Sequence, residues 1–207
     1  MGIPKIISSI CSYIADRNLV LTQRFDDGRV NAAFNEEELI KEIKQNFSIE
    51  VPPKRAWYDF SIVDQGEFYP INIKITDTTH ADNLNCKLGI YYALTGILPD
   101  FANEIAWEDF FQKLHANIGT YQSKDYYFLV FNKRMPTDVF ANALKGLQTL
   151  QPNGNNLPFQ CKWDSNRQYQ TRTFAEAKDI ILSKLGESIS LRASIYRNFA
   201  NYFPQYV

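Results

Sequence analysis

Cysteine is scarce in this 207-residue sequence: Cys11, Cys86 and Cys161 stand far apart, odd in number and without CxxC spacing. That excludes a disulfide framework and predicts reduced thiols, as in a cytoplasmic protein. Histidine is scarcer, with only His80 and His115. Without paired cysteines to join them, a structural zinc site is excluded too. No excess of either charge exists: 22 basic residues face 23 acidic ones, a formal net charge of -1. A surface for a polyanion must therefore be local, balanced by acids elsewhere. No apolar run approaches the roughly 18 residues of a membrane helix, and no signal-peptide pattern is present. The sequence thus predicts neither a membrane span nor export by that route. Repeats and low-complexity linkers are also missing.

What remains reads as one domain over residues 1–207, long enough to bury a real core. Pro4 opens an amphipathic helix with Ile6, Ile7, Ile10, Tyr13 and Ile14 on one stripe. A turn at Asp26-Asp27-Gly28-Arg29 follows. Asn35 then reads as an N-cap with Glu38 completing a capping box, before Leu39, Ile40, Ile43 and Phe47 at helical spacing. Residues 57–63 and 68–75, separated by the turn formers Asp64, Gln65 and Gly66, predict a β-hairpin. A helix is expected over 82–95, closed by Gly96, and another over 107–118. The apolar run YYFLVF at 126–131 reads as a central buried strand. Helices over 175–185 and 188–203, broken at Gly186, end the reading. The fold class is α/β: a mixed central β-sheet flanked by helices.

The hairpin carries the chemistry. Asn72 and Lys74 are two apart and share a face, while Ile71, Ile73 and Ile75 point the other way into a core. Asp59 on the first strand approaches the same polar face. A solvated sheet face is one reading, and a metal-dependent phosphodiesterase site is the other. Glu36 falls on the apolar stripe of its helix, where a carboxylate is costly unless paired or metal-bound. The alternative for Glu36 is a first-turn acid favoured by the helix dipole.

Tyr58-Asp59-Phe60 followed by Asn72-Ile73-Lys74 resembles the PD-(D/E)XK pattern of the superfamily that contains most type II restriction endonucleases. Asp59 and Lys74 match it. Tyr58 stands where Pro is common, and Asn72 stands where the second acid belongs. The resemblance draws on residues 20–96, with 36–96 as the catalytic core. It implies a restriction-endonuclease-like fold and Mg²⁺-dependent cleavage of double-stranded DNA. It also implies Asp59, Asn72 and Glu36 as metal ligands and Lys74 beside the attacking water. A symmetric homodimer, able to read a palindrome, is the expected assembly.

The contacts to DNA are assigned by residue chemistry. Thr78, Thr79, His80, Asn83 and Lys87 follow the active strand and are candidates for phosphate, against a plain polar loop with Asp82 as helix cap. Residues 151–172 crowd amides with Lys162, Arg167 and Arg172, and amides pair with adenine as Arg and Lys do with guanine. Asn153, Asn155, Asn156, Lys162 and Arg167 are the candidates for base readout there, against a polar surface loop. Two other functions stay open: a repair or structure-selective nuclease of the same fold, and a catalytically impaired DNA-binding module resting on Asn72.

Overall fold

The computed structural model describes residues 2–21, 28–101 and 106–206, with the backbone alone for 28–33. The expected hairpin is present as Phe60–Asp64 (β1) and Glu67–Thr76 (β2), antiparallel from Phe60↔Ile71 to Asp64↔Glu67. Gln65 and Gly66 both sit at positive φ, 52° and 79°, so the two-residue turn matches the twist of the strands it joins. The first strand begins later than the expected residue 57. Trp57 leaves the ladder to pack its ring against Tyr92 and Tyr126, with centroids 5.3 and 5.7 Å away. The Tyr126 hydroxyl fixes it there by donating to the Trp57 carbonyl at 2.7 Å.

Ala81–Leu84 forms a short strand (β3) where the sequence predicts a helix. The helix (α3) is confined to Lys87–Thr95, and Gly96 ends it in the left-handed conformation. The reason is tertiary: the Asp82 carboxylate accepts from the Trp163 indole at 2.9 Å instead of capping a helix. Asp82 thereby fastens β3 to Trp163, which opens a 3₁₀ turn much later in the chain.

Tyr127–Asn132 (β4) is buried along its whole length and lies parallel to β2, in register from Ile71↔Tyr127 to Thr76↔Asn132. Val139–Ala143 (β5) closes this mixed sheet, whose order is β1-β2-β4-β5. A second sheet of order β3-β7-β6 is built with Gln151–Pro152 (β6) and Phe159–Lys162 (β7).

Alternation along β2 and β4 sends side chains to two separate cores. On one face Ile71, Ile73, Tyr127, Leu129 and Phe131 meet helices Lys5–Arg17 (α1) and Gly28–Ile43 (α2), through Ile7, Ile10, Ile14, Leu39 and Ile43. On the other, Phe128 and Val130 meet α3, Trp107–Asn117 (α4) and Phe174–Tyr202 (α5), together with Trp163 in the short 3₁₀ turn that follows β7. Burial on both faces is why YYFLVF carries no polar alternation.

Two helix boundaries differ from expectation. Asn35 is no N-cap, because α2 already starts at Gly28. Residues 29–43 hold no Gly or Pro, and Ala32 and Ala33 favour helix, so the helix runs on through Asn35. The remainder of the proposed turn, Asp26 and Asp27, lies outside the described residues. At the other end α5 passes straight through Gly186, whose missing side chain would meet nothing. A helical Gly costs only about 1 kcal/mol relative to Ala, which a long helix anchored by a Thr173–Glu176 capping box absorbs. Among the described residues no helix is long and apolar enough to cross a membrane. All three cysteines are buried and free.

Candidate active site

The candidate site forms where β1 runs out. Asp59 directly precedes that strand, and its backbone N–H donates to the Ile71 carbonyl at 2.9 Å, holding it against β2. Beyond this point the Ile73 N–H has no strand beside it. The Asp59 carboxylate takes that proton donor instead: Oδ2 accepts from Ile73 N at 2.6 Å and from Asn72 Nδ2 at 2.7 Å. A carboxylate can only accept here, so the Asn72 nitrogen must face it and the amide oxygen is turned elsewhere. Lys74, one pleat further on, donates to the Asn83 carbonyl of β3 at 2.9 Å.

Glu36 enters from α2. Counted from Gly28 it lies in the third turn, so its position is not a first-turn response to the helix dipole. Burial first, then the negative charge of Asp59, push its carboxyl up to about 7, against the opposing charge of Lys74. Asp59 is also raised, by burial, although the Ile73 N–H and Lys74 work the other way. Two half-buried carboxylates thus repel one another beside a single ammonium. This arrangement is costly as it stands.

The donor set is that of a hard cation: carboxylate oxygens of Glu36 and Asp59 and the amide oxygen of Asn72. Among the described residues no group of three His, Cys, Asp or Glu side chains converges. An ion here would have two charged ligands and one neutral one, and it would relieve the carboxylate repulsion. Oxygen donors of this kind suit a hard divalent cation such as Mg²⁺.

This fit has a consequence measurable without catalysis. A carboxyl raised from its ordinary 4.5 to about 7 binds its proton more tightly in the folded state. Its contribution to stability is full below the unfolded value and is lost as pH rises through about 7. In EDTA the wild type is expected to lose about 2 kcal/mol from Glu36 between about pH 5 and about pH 8, with allowance for remaining solvent screening. Glu36→Gln should flatten that slope, and Mg²⁺ should restore stability at the upper pH in the wild type only. Thermal melts across pH check both; coincident profiles for the two proteins would remove Glu36 from the site.

Of the phosphate candidates, Thr79 and His80 are exposed at the end of β2. They are tied to Asp77, whose Oδ1 accepts from the His80 N–H at 3.2 Å and whose Oδ2 accepts from Arg134 at 3.0 Å. Thr78 is different: it is buried and sits at φ 65°, strained for a β-branched residue, so its hydroxyl is not on the surface. Asn83 is exposed on β3. Lys87 lays its ammonium over the Trp107 ring, 4.0 Å from the centroid, a packing role the sequence does not suggest.

The amide-rich segment divides in the same way. Asn155, Asn156 and Lys162 are exposed. Asn153 is buried, and its oxygen accepts the N–H groups of Asn155 and Asn156 at 3.0 and 2.9 Å. It organises the loop and is not offered to a groove. Arg167 forks onto both oxygens of Asp138 at 2.7 and 2.9 Å and also reaches Asp164 at 2.8 Å, so its guanidinium is already committed.

Sequence reasoning misses what Asn153 does with its nitrogen. Nδ2 donates to Asn83 Oδ1 at 2.8 Å, while the Asn83 carbonyl holds Lys74. The Asn153 N–H in turn donates to Ser188 Oγ of α5 at 3.0 Å. A continuous polar chain therefore runs from α5 to the candidate catalytic lysine. Asn83 and Asn153 are 70 positions apart, and no local pattern announces their pairing. Compared with known proteins, the chain matches no family model and no curated protein.

Proposed function

We propose that this chain is a magnesium-dependent endonuclease of double-stranded DNA, acting as a site-specific type II restriction enzyme on a restriction-endonuclease-like fold. One observation carries the reading. Asp59, Glu36 and Lys74 come into electrostatic reach of one another at the open end of β1, with Asn72 locked beside them. Further support comes from the elements involved, since the preceding helix and the hairpin are those the resemblance expects to carry the site.

The chemistry suits these groups. Phosphoryl transfer depends on positioning and charge neutralisation more than on covalent help. A bound Mg²⁺ supplies a Lewis acid and a more acidic water. Glu36, Asp59 and the Asn72 oxygen would hold it. Lys74, steadied by the Asn83 carbonyl, presents its positive charge to a phosphate oxygen or to the attacking water. The exposed Thr79, His80, Asn155, Asn156 and Lys162 are the side chains left to meet the duplex. A second reading, a DNA-binding module without catalysis, is favoured by Asn72, because a neutral amide binds Mg²⁺ less well than a carboxylate.

Digestion of phage DNA with Mg²⁺, followed by mapping of the ends, is the test. A fixed set of fragments sharing one end sequence is the expected result. Scattered nicks or cuts confined to branched substrates point to the repair class of nuclease. Tight binding without cleavage leaves the module.

A further inference from the structure

The core-facing residues of α5 recur at Ala177, Ile181, Leu185 and Ser188, in steps of four, four and three. The same stripe continues through Leu191, Ile195, Phe199 and Tyr202, but the body of the protein does not follow it. The helix still approaches the body at Leu191 and Arg192, where a Cβ placed on Gly154 would lie 2.8 Å from the Leu191 Cβ and 3.1 Å from the Arg192 nitrogen. Beyond these residues Ile195, Tyr196, Phe199, Tyr202 and Phe203 are exposed by between 44% and 81%. A heptad-like seam that is buried for its first half and bare for its second is an unfinished interface.

We infer that the distal half of α5 packs against the same segment of a second copy of this chain, in an antiparallel pair about a two-fold axis. Area argues for this occupant. With roughly 150–250 Å² for a whole aromatic side chain, the exposed stripe offers on the order of 600–700 Å² per copy. That is close to the about 800 Å² each partner contributes to a stable interface. Charge sets the direction. Residues 188–206 contain no acid, and Arg192 lies at the edge of the stripe. A parallel pair would bring the two Arg192 side chains together. An antiparallel pair separates them and brings each to the aromatic end of its partner, over Tyr202 and Phe203, where a guanidinium is attracted. A lipid surface suits the segment less well, since its polar side carries Ser194, Arg197 and Asn201 rather than a row of cations. The inference does not rest on the nuclease reading.

Sedimentation velocity of the full chain should give a species of twice the 24.0 kDa chain mass, in the low micromolar range or below. Ile195→Asp combined with Phe199→Asp should weaken association by at least about 30-fold while leaving the circular dichroism spectrum unchanged. Arg197→Glu, on the opposite side of the helix, should leave the dimer intact. Asn198→Cys, near the proposed axis, should cross-link to itself under mild oxidation, because the native cysteines are buried. Should the double variant fail to fold, this cross-link still decides. Monomeric wild type, a dimer that survives the double substitution, or a folded Asn198→Cys dimer without cross-link would each overturn the proposal. So would a monomer that co-sediments with phosphatidylserine vesicles through this stripe. Asp59→Ala should dimerise like wild type, which separates failure here from failure of the nuclease assignment.

Discussion

Asp59→Ala and Lys74→Ala are each expected to reduce Mg²⁺-dependent DNA cleavage by at least about 1,000-fold, since in the proposed mechanism Asp59 would hold the cation and Lys74 would face the reacting phosphate. The two substitutions differ in what else they disturb. Asp59 is the acceptor for Ile73 N and Asn72 Nδ2, so Ala leaves both donors without their partner. That carries a stability cost of about 1–3 kcal/mol for each donor that water cannot reach. Asp59→Asn keeps an acceptor oxygen in place and is the fairer comparison for chemistry. Lys74→Ala removes a donor from the Asn83 carbonyl, which lies beside solvent and is readily rehydrated, so folding should survive. Plasmid cleavage with Mg²⁺ and duplex binding with Ca²⁺, measured on the same preparations, separate catalysis from recognition. Full cleavage by either Ala variant would sink the assignment.

Strand periodicity made the central sheet legible. Residues 68–75 alternate and 126–131 do not, and these patterns correspond to a strand two-sided in chemistry and a strand buried on both faces. What the sequence withheld was set by distant contacts. Asp82 looks like a helix cap until Trp163 claims its carboxylate, and then its segment becomes strand. Gly186 looks like a break, yet the flanking packing carries α5 through it. Local preference was a weak voice in both cases.

The site was legible in part for a related reason. Spacing of two along β2 puts Asn72 and Lys74 on one face, and the structure brings Asp59 to them. Glu36 is different. Its placement on the apolar stripe was readable, but the length of α2 was not, and the length is what removes the helix-dipole explanation. The amide-rich segment left both a DNA reader and a polar surface loop open. The fold gives Asn153 and Arg167 internal partners and leaves Asn155, Asn156 and Lys162 outside. Composition reports how many polar groups a segment has, never which of them the fold has already paired.

Asn72→Asp tests the neutral position directly, and its expected effects on stability and on metal binding have opposite signs. The present amide donates to Asp59 Oδ2 at 2.7 Å. An Asp at the same reach replaces that donor with an acceptor, so two carboxylates meet in a half-buried pocket that already raises Asp59 and Glu36. Like charges so close do not both ionise, and one proton should be shared at neutral pH. In EDTA the variant should be destabilised by about 2–3 kcal/mol near pH 7, the loss of a charge-assisted bond with repulsion added. Protonation relieves the clash, so this penalty should shrink as pH falls. A divalent cation should reverse the loss, because a third charged ligand strengthens its binding. The melting temperature should therefore rise more steeply with Mg²⁺ or Ca²⁺ in Asn72→Asp than in wild type. Cleavage should gain only modestly, because Glu36 already supplies a second carboxylate. A variant as stable as wild type in EDTA and no more responsive to cation would show that the Asn72 oxygen is not a ligand, leaving Asp59 and Glu36 to hold the ion alone.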